Sequence, residues 1–207
     1  MRRPALVLFD LDGVLVHYDH AARVRELARR TGAGDDQVEQ ALFGSGLETA
    51  ADAGEFDTAG FVDELARRLG VPVTLQDCIA ARAASMQSQP EVVELASLAG
   101  RRAKLAILTN NGLLLREHFE SVCPLLAPLF AGRVCCSAQF RMRKPEPEVF
   151  RQCVAQLGVA PADTLFFDDK PDNAKGARRA GLMAHTYRSP AGLRAHLADH
   201  QLLEPQA

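Results

Sequence analysis

The chain has 207 residues, of which 47% are hydrophobic and 24% are charged. This hydrophobic content excludes an intrinsically disordered chain, and the length suits one globular domain or a core with a smaller insertion. The formal net charge of -2 provides no bulk attraction to nucleic acid or to an anionic membrane. Neither is therefore predicted as a partner.

The N-terminal segment begins with Met1, Arg2 and Arg3, and the apolar run that follows spans only residues 5–9. An export signal needs a longer apolar region, and a membrane span needs roughly 20 apolar residues. The five cysteines are an odd number without C-x-x-C spacing, which is typical of reduced thiols inside the cell. We therefore predict a cytoplasmic protein.

Short apolar runs separated by helical stretches organise the chain. The runs span residues 5–9, 103–108, 133–136, 164–167 and, more weakly, 183–187. Short runs that end abruptly at polar residues are typical of strands buried on both faces. Between these runs, residues 90–98 and 148–157 have apolar residues at helical spacing. This alternation predicts a three-layer α/β core around a parallel sheet.

The stretch between the first two predicted strands is too long for an ordinary loop, which has a few residues. Apolar residues recur in it at helical spacing, and Thr74 with Asp77 forms a typical capping box at the start of a helix. We therefore predict a helical cap at residues 16–88, inserted into a core made of residues 1–15 and 89–207.

Polar residues with chemical function follow four of the predicted strands. They are Asp10 and Asp12, then Thr109 and Asn110, then Lys144, and finally Asp168 and Asp169 with Asn173. In parallel α/β sheets, ligands bind beyond the carboxyl ends of the strands. These side chains are therefore predicted to converge on one site.

The four aspartates of this set, Asp10, Asp12, Asp168 and Asp169, would repel one another. Two unit charges about 4 Å apart repel by roughly 4 kcal/mol at an effective dielectric constant of 20. A hard divalent cation relieves this repulsion, and Mg²⁺ is bound in proteins by one or two carboxylates together with substrate phosphate. With Lys144 added, the pattern predicts a metal site beside an anion site, which suits a phosphoryl group.

These residues resemble the four motifs of the haloacid dehalogenase superfamily, in order along the whole chain. Residues 10–15 match its D-x-D-G-x-[VTL] opening, and residues 108–110 resemble a strand that ends in Thr or Ser. Residues 144–145 are its K-P dipeptide, and residues 166–173 read F-F-D-D-x-x-x-N. This last motif is similar to that of bacterial sugar-phosphate phosphatases and of the phosphatase domain of soluble epoxide hydrolases. The resemblance implies a Rossmann-like core with a helical cap and phosphatase activity.

The resemblance also implies roles in phosphate chemistry. Asp10 would be the nucleophile that forms an aspartyl-phosphate. Asp12 would protonate the leaving alcohol and then deprotonate the attacking water. Thr109 and the Asn110 amide would hold phosphate oxygens, and Lys144 would neutralise the phosphate and orient Asp10.

The metal site implied by the resemblance is acidic. Asp169 would bind Mg²⁺ together with Asp10 and the backbone carbonyl of Asp12. Asp168 would bind Mg²⁺ through a water molecule or would contact the direct ligands without binding the metal. Asn173 would be a hydrogen-bond partner in the same loop.

Three residues are candidates for binding the rest of the substrate. His17 and Tyr18 lie where the predicted cap leaves the core, and Glu48 lies in a predicted loop of the cap. The substrate is expected to be a small phosphorylated metabolite, such as a sugar phosphate. A phosphomutase, a metal-independent 2-haloacid dehalogenase and a non-catalytic binding domain are the alternatives, and the sequence leaves the oligomeric state open.

His196 and His200 have the i, i+4 spacing of some zinc sites. No glutamate follows His196 and no third ligand is evident, so we interpret them as part of an exposed surface helix.

Overall fold

The computed structural model describes residues 3–203; Met1 and Arg2, which belong to the segment used for the export-signal prediction, and residues 204–207 lie outside it. Among the described residues, no helix combines the length and the apolar character that a membrane span requires.

A parallel five-stranded sheet forms the centre of the molecule. Its strands, in chain order, are β1 (Leu6–Phe9), β4 (Lys104–Thr109), β5 (Val134–Cys136), β6 (Thr164–Asp168) and β7 (Met183–Thr186). Across the sheet they lie in the order β5-β4-β1-β6-β7. All four pairings are parallel. The predicted α/β fold is confirmed, and each predicted strand is present with its ends shifted by no more than one residue.

Alternation of side chains along the strands gives the core two faces, as expected for a pleated sheet. Val7 and Phe9 pack with helices α6 (Pro90–Ala99) and α12 (Pro190–Asp199), whereas Leu6 and Leu8 pack with α10 (Pro147–Gln156) and α11 (Pro171–Arg179) on the other face. These helices cover both faces, which gives the three layers. The adjacent cysteines of β5 likewise point to opposite faces, and all five cysteines are buried free thiols.

The helical insertion, defined here as residues 20–84, leaves the core through a two-stranded antiparallel ribbon of β2 (Val16–Tyr18) and β3 (Met86–Ser88). Its helices are α1 (His20–Thr31), α2 (Asp35–Glu39), which continues as a π-helical turn (Gln40–Gly44), α3 (Leu47–Asp52), α4 (Thr58–Leu69) and α5 (Leu75–Ala84). The predicted capping box is present at the start of α5. The division of the chain into domains at residues 16 and 88 stays a prediction.

Short helices complete the core between the longer elements. They are α7 (Leu113–Glu117), α8 (Phe119–Val122) and α9 (Ala127–Phe130), with 3-10 turns at Ser137–Phe140 and Pro161–Asp163.

The insertion packs directly against the core. The Ser137 hydroxyl donates to the backbone oxygen of Asp52 at 2.7 Å, and the Thr58 hydroxyl donates to Glu117 at 2.6 Å. Gly54 has φ +80° and lies so close to the Ala138 carbonyl oxygen that a Cβ would overlap it. Only glycine satisfies both conditions without strain, so this contact depends on the residue type.

The histidines near the C-terminus do not form the predicted exposed surface. The His185 ring of β7 stacks on His196 with 3.8 Å between ring centroids, and its Nε2 lies 3.3 Å from Nε2 of His200. His200 is buried, so the prediction is wrong for this residue. The reason is that α12 turns this side of the helix toward the last strand of the sheet.

This histidine cluster makes stability depend on pH. Burial, with His196 and His200 beside it, lowers the pKa of His185 from 6.5 to about 4; Arg178 also lowers it, and Asp199 opposes the shift. The unfolded chain then binds the proton more tightly than the folded protein, so stability falls as the pH drops from about 6.5 toward 4.

We expect replacement of this ring by a neutral amide, in His185→Gln, to weaken that pH dependence. Between pH 7 and pH 5, the wild-type protein should lose about 1 kcal/mol more unfolding free energy than the variant, after allowance for solvent screening of the partly exposed ring. Urea unfolding at the two pH values measures the difference, and equal losses in both proteins would contradict the assignment.

Candidate active site

The side chain of Asp10 follows the central strand β1 and is buried. Its Oδ1 accepts hydrogen bonds from the Leu11 backbone at 2.7 Å and from Lys144 Nζ at 2.8 Å. Because β1 lies between β4 and β6, Thr109 and Asp168 at the ends of those strands are its neighbours. The structure thus brings the predicted strand-end residues together.

Lys144 is buried and joins two carboxylates. Its Nζ lies 2.8 Å from Asp10 Oδ1 and 2.6 Å from Asp168 Oδ2. The Asn110 side chain positions the loop that carries Lys144. Its Oδ1 accepts from the Lys144 backbone N–H at 2.9 Å, and its Nδ2 donates to the Lys144 carbonyl at 3.0 Å. The Asn110 side chain therefore orients the lysine loop, and its predicted amide contact with phosphate stays a prediction.

Asp168 is the best satisfied of the acidic residues. Besides Lys144, it accepts hydrogen bonds from the Lys170 backbone at 2.8 Å and from Asn173 Nδ2 at 2.9 and 3.0 Å. Burial opposes ionisation, but Lys144 and these donors hold the pKa of Asp168 below its ordinary value. Asn173 therefore lies where the sequence predicted a supporting partner.

Asp10 and Asp169 lack comparable compensation. Burial raises the pKa of Asp10 to about 8, although Lys144 opposes the rise. Burial, followed by the Asp168 charge, raises the pKa of Asp169. Its Oδ1 is buried and has no hydrogen-bond partner within residues 3–203. One lysine charge is thus shared among more carboxylates than it can neutralise.

Oxygen atoms of Asp10, Asp168 and Asp169 lie within 4.8 Å of one another. A hard divalent cation fits this set, because it supplies the missing positive charge and takes oxygen ligands. The Asp169 oxygen without a partner is free to act as a ligand of such a cation. Asp12 was predicted to contribute through its backbone carbonyl, and its side chain lies outside this group.

Gly13 lets the acidic loop approach the end of β1. It has φ +85°, and a Cβ at this position would lie 2.8 Å from Asp169 Oδ2. A side chain would therefore be strained and would displace the carboxylate.

The Asp12 side chain points toward the insertion. Its Oδ2 accepts hydrogen bonds from Asn111 Nδ2 and from Arg82 Nη2, both at 3.1 Å. Asn111 also donates to the Thr109 hydroxyl at 2.7 Å, and its Oδ1 accepts from Arg82. A continuous hydrogen-bond network thus runs from the end of β4 through Asp12 to α5.

Two buried arginines of the insertion were not predicted as site residues. Arg23 forms a two-pronged ion pair with Glu48 and donates to the Tyr18 hydroxyl, and the Arg82 guanidinium lies 4.9 Å above the Tyr18 ring. One sequence feature could have identified them: both arginines interrupt an apolar face of a helix. Arg82, for example, follows the buried Cys78 by one helical turn.

The three residues predicted to bind substrate do not lie together in the structure. Tyr18 and Glu48 join the arginine network, whereas the side chain of His17 is exposed on the ribbon. The structure does not bring His17 to the site, and its contact with substrate stays a prediction.

A pocket adjoins this network between the insertion and the loop after β4. It is lined by the charged residues Arg23, Glu48 and Arg82 and by apolar residues such as Phe61 and Leu114. Its cavity volume is about 30 Å³, room for roughly two or three water molecules.

Comparison with known proteins agrees with this geometry. The family model of haloacid dehalogenase-like hydrolases matches residues 4–181. The chain is 31% identical to a phosphatase of Mycobacterium tuberculosis, covering 86% of this chain and 85% of that protein. It is also 31% identical to the validoxylamine A 7'-phosphate phosphatase of Streptomyces hygroscopicus, with 86% and 82% covered.

Among solved structures, an enzyme of the same family from Bacteroides thetaiotaomicron, in complex with magnesium and inorganic phosphate, superimposes with a TM-score of 0.72. The two chains are 22% identical, and the match covers 91% of this chain and 95% of the other, a likeness that shows the shared fold. With its acidic strand ends and its match to the family model along most of its length, this chain belongs to the haloacid dehalogenase-like hydrolases.

Proposed function

We propose that the enzyme is a magnesium-dependent phosphatase that hydrolyses small phosphomonoesters through an aspartyl-phosphate on Asp10. The observation that carries the proposal is the geometry of this carboxylate. Lys144 and the Leu11 backbone both bind Oδ1, which leaves Oδ2 to attack phosphorus. The buried, unpartnered oxygen of Asp169 lies in the same acidic group and would hold the metal.

Asp10 and Asp169 are the proposed Mg²⁺ ligands, with the Asp12 backbone carbonyl, and Asp168 supports them through Lys144. When bound, Mg²⁺ neutralises phosphate oxygens and stabilises the charge of the transition state. Lys144 contributes a second positive charge at the nucleophile, and the Thr109 hydroxyl provides a donor for a phosphate oxygen.

The proton transfers are assigned to Asp12. As the bond from Asp10 Oδ2 to phosphorus forms, the bond from phosphorus to the alcohol oxygen breaks, and Asp12 gives its proton to that oxygen. In the second half of the reaction, a water molecule gives a proton to Asp12 and attacks the phosphorus of the aspartyl-phosphate. The Asp10–phosphorus bond then breaks, which releases phosphate and restores the free carboxylate.

The substrate proposal rests on the pocket and on one relative. The cavity between Arg82 and the loop after β4 is lined by charged and by apolar side chains, which suits a leaving group with both hydroxyl groups and carbon surface. The Streptomyces relative is named for its action on validoxylamine A 7'-phosphate, which supports a phosphorylated metabolite of the sugar type. Tyr18 and Glu48 would contact this part of the substrate, and we propose neither nucleic acid nor a membrane as a partner.

A phosphate-release assay tests the proposal. Purified enzyme is incubated with an aryl phosphate and a panel of sugar phosphates, in Mg²⁺ and after verified metal removal by chelation. We expect phosphate release that disappears on chelation and returns with Mg²⁺. Unchanged activity after metal removal contradicts the metal assignment.

The same samples separate the alternatives. Conversion of one sugar phosphate into an isomer without phosphate release would indicate a phosphomutase. Chloride release from 2-chloropropionate without metal, together with no phosphatase activity on any substrate, would indicate a dehalogenase.

A further inference from the structure

The two carboxyl oxygens of Asp12 have opposite surroundings. Oδ2 accepts two hydrogen bonds, from Asn111 Nδ2 and Arg82 Nη2, each at 3.1 Å. Oδ1 is buried and has no hydrogen-bond partner among the described residues. A buried polar oxygen without a partner is unusual in a folded protein and indicates a group that another molecule satisfies.

This asymmetry decides which oxygen exchanges a proton with the substrate. Because Oδ2 already accepts from two N–H donors, it is less available to the leaving group than the unpartnered Oδ1. Oδ1 is therefore the reactive oxygen, and its direction depends on the donors that hold Oδ2. We propose that Arg82 is a positioning residue that aims Oδ1 of Asp12 at the leaving-group oxygen; this inference rests on the proposed phosphatase function.

Arg82 is itself held rigidly. Its guanidinium lies over the Tyr18 ring at 4.9 Å, donates to Asn111, and has Glu48 at 3.9 Å, and its side chain is 5% exposed. Since few other orientations are open to a buried and stacked guanidinium, its contact with Asp12 is well defined.

Through Arg82, the insertion would align the general acid Asp12. Asp10, Lys144 and the acidic loop all come from the core, whereas Arg82 lies on α5 of the insertion. The general acid is therefore aligned only when α5 is packed against the loop after β1.

The test uses the dependence of rate on the leaving group. An alkyl alcohol leaves only with a proton, whereas a nitrophenolate leaves without one. For Arg82→Met we expect kcat/KM to fall by about 10²-fold on alkyl phosphates, but by no more than about threefold on 4-nitrophenyl phosphate. The ratio kcat/KM is used because it reports only the steps up to and including the departure of the leaving group.

A double-mutant cycle with Asp12→Asn isolates the coupling. If Arg82 acts through Asp12, adding Arg82→Met to Asp12→Asn causes no further loss on alkyl phosphates. Arg82→Lys, which keeps the charge but not the planar fork, should lose activity on the same substrates to a smaller degree. It also serves as a second variant if Arg82→Met folds poorly.

Arg30→Met is the control, because Arg30 is an arginine of the same insertion that pairs with Asp77 on α5 and neither contacts Asp12 nor lines the pocket. It should change kcat/KM by the same factor on both substrate types. Equal losses on both types in Arg82→Met, or additive losses in the cycle, would overturn the inference. The proposed function would survive that result, because it is tested separately by Mg²⁺-dependent phosphate release from the wild-type enzyme.

Discussion

Asp10→Asn should abolish turnover while the protein remains folded. The amide is nearly the same size as the carboxylate, but it is a poor nucleophile and carries no charge for the metal. Removal of a nucleophile lowers kcat by roughly 10⁴-fold or more. Steady-state phosphate release measures the loss, and thermal unfolding shows whether the fold is intact.

A second aspartate provides the control for this variant. Asp172→Asn makes the same chemical change at an exposed residue that pairs with Lys175 on α11, and it should keep wild-type turnover. Mass spectrometry must show that the Asp10→Asn sample contains no deamidated protein. Turnover near the wild-type value in such a sample would remove Asp10 from the nucleophile role.

Lys144→Met should reduce both activity and stability. In the variant, Asp10 and Asp168 would face each other in the core without the cation that now lies between them at 2.8 and 2.6 Å. Breaking a buried ion pair by removing one partner costs about 3–5 kcal/mol. We expect the free energy of unfolding, measured in urea, to fall by that amount, and kcat/KM to fall by about 10³-fold as a preorganised cation is lost.

Lys175→Met is the control for Lys144→Met, because it removes a lysine from an exposed ion pair with Asp172. It should leave both measurements at the wild-type value, since exposed ion pairs contribute little. A stable but inactive Lys144→Met variant would mean that the lysine contributes only to chemistry. Normal activity would remove it from the site.

The core and its strand-end residues could be predicted from sequence because each is a local signal. A short apolar run followed by Asp10 or by Asp168 shows both the strand and its functional end. Parallel pairing then places the ends side by side without further information. The family resemblance added the order of the motifs, and the match to the family model confirms the family.

The insertion side of the site could not be predicted in the same way. Which face of a helix meets the core depends on packing between elements that are distant in sequence. Arg82 lies 70 residues from Asp12, and in the sequence it is only a charged residue on an apolar face. The interactions of Asn110 and Asn111 were hidden for a related reason, since their partners are fixed by the conformation of a loop.

The histidine cluster shows the same limit at β7, the edge strand of the sheet. The i, i+4 spacing of His196 and His200 indicates a common helix face, but not what that face contacts. The ring of His185, contributed by β7, converts an apparent surface into a partly buried contact.

The tight packing of the insertion on the core has a consequence for the time course of catalysis. The cavity beside Arg82 has room for roughly two or three water molecules, which is less than a sugar phosphate occupies. We therefore expect contacts between the insertion and the core to loosen when substrate enters, to re-form when the site is aligned, and to loosen again when the alcohol leaves. The frequency of this opening sets an upper limit on turnover that is the same for every substrate, however reactive its phosphate ester.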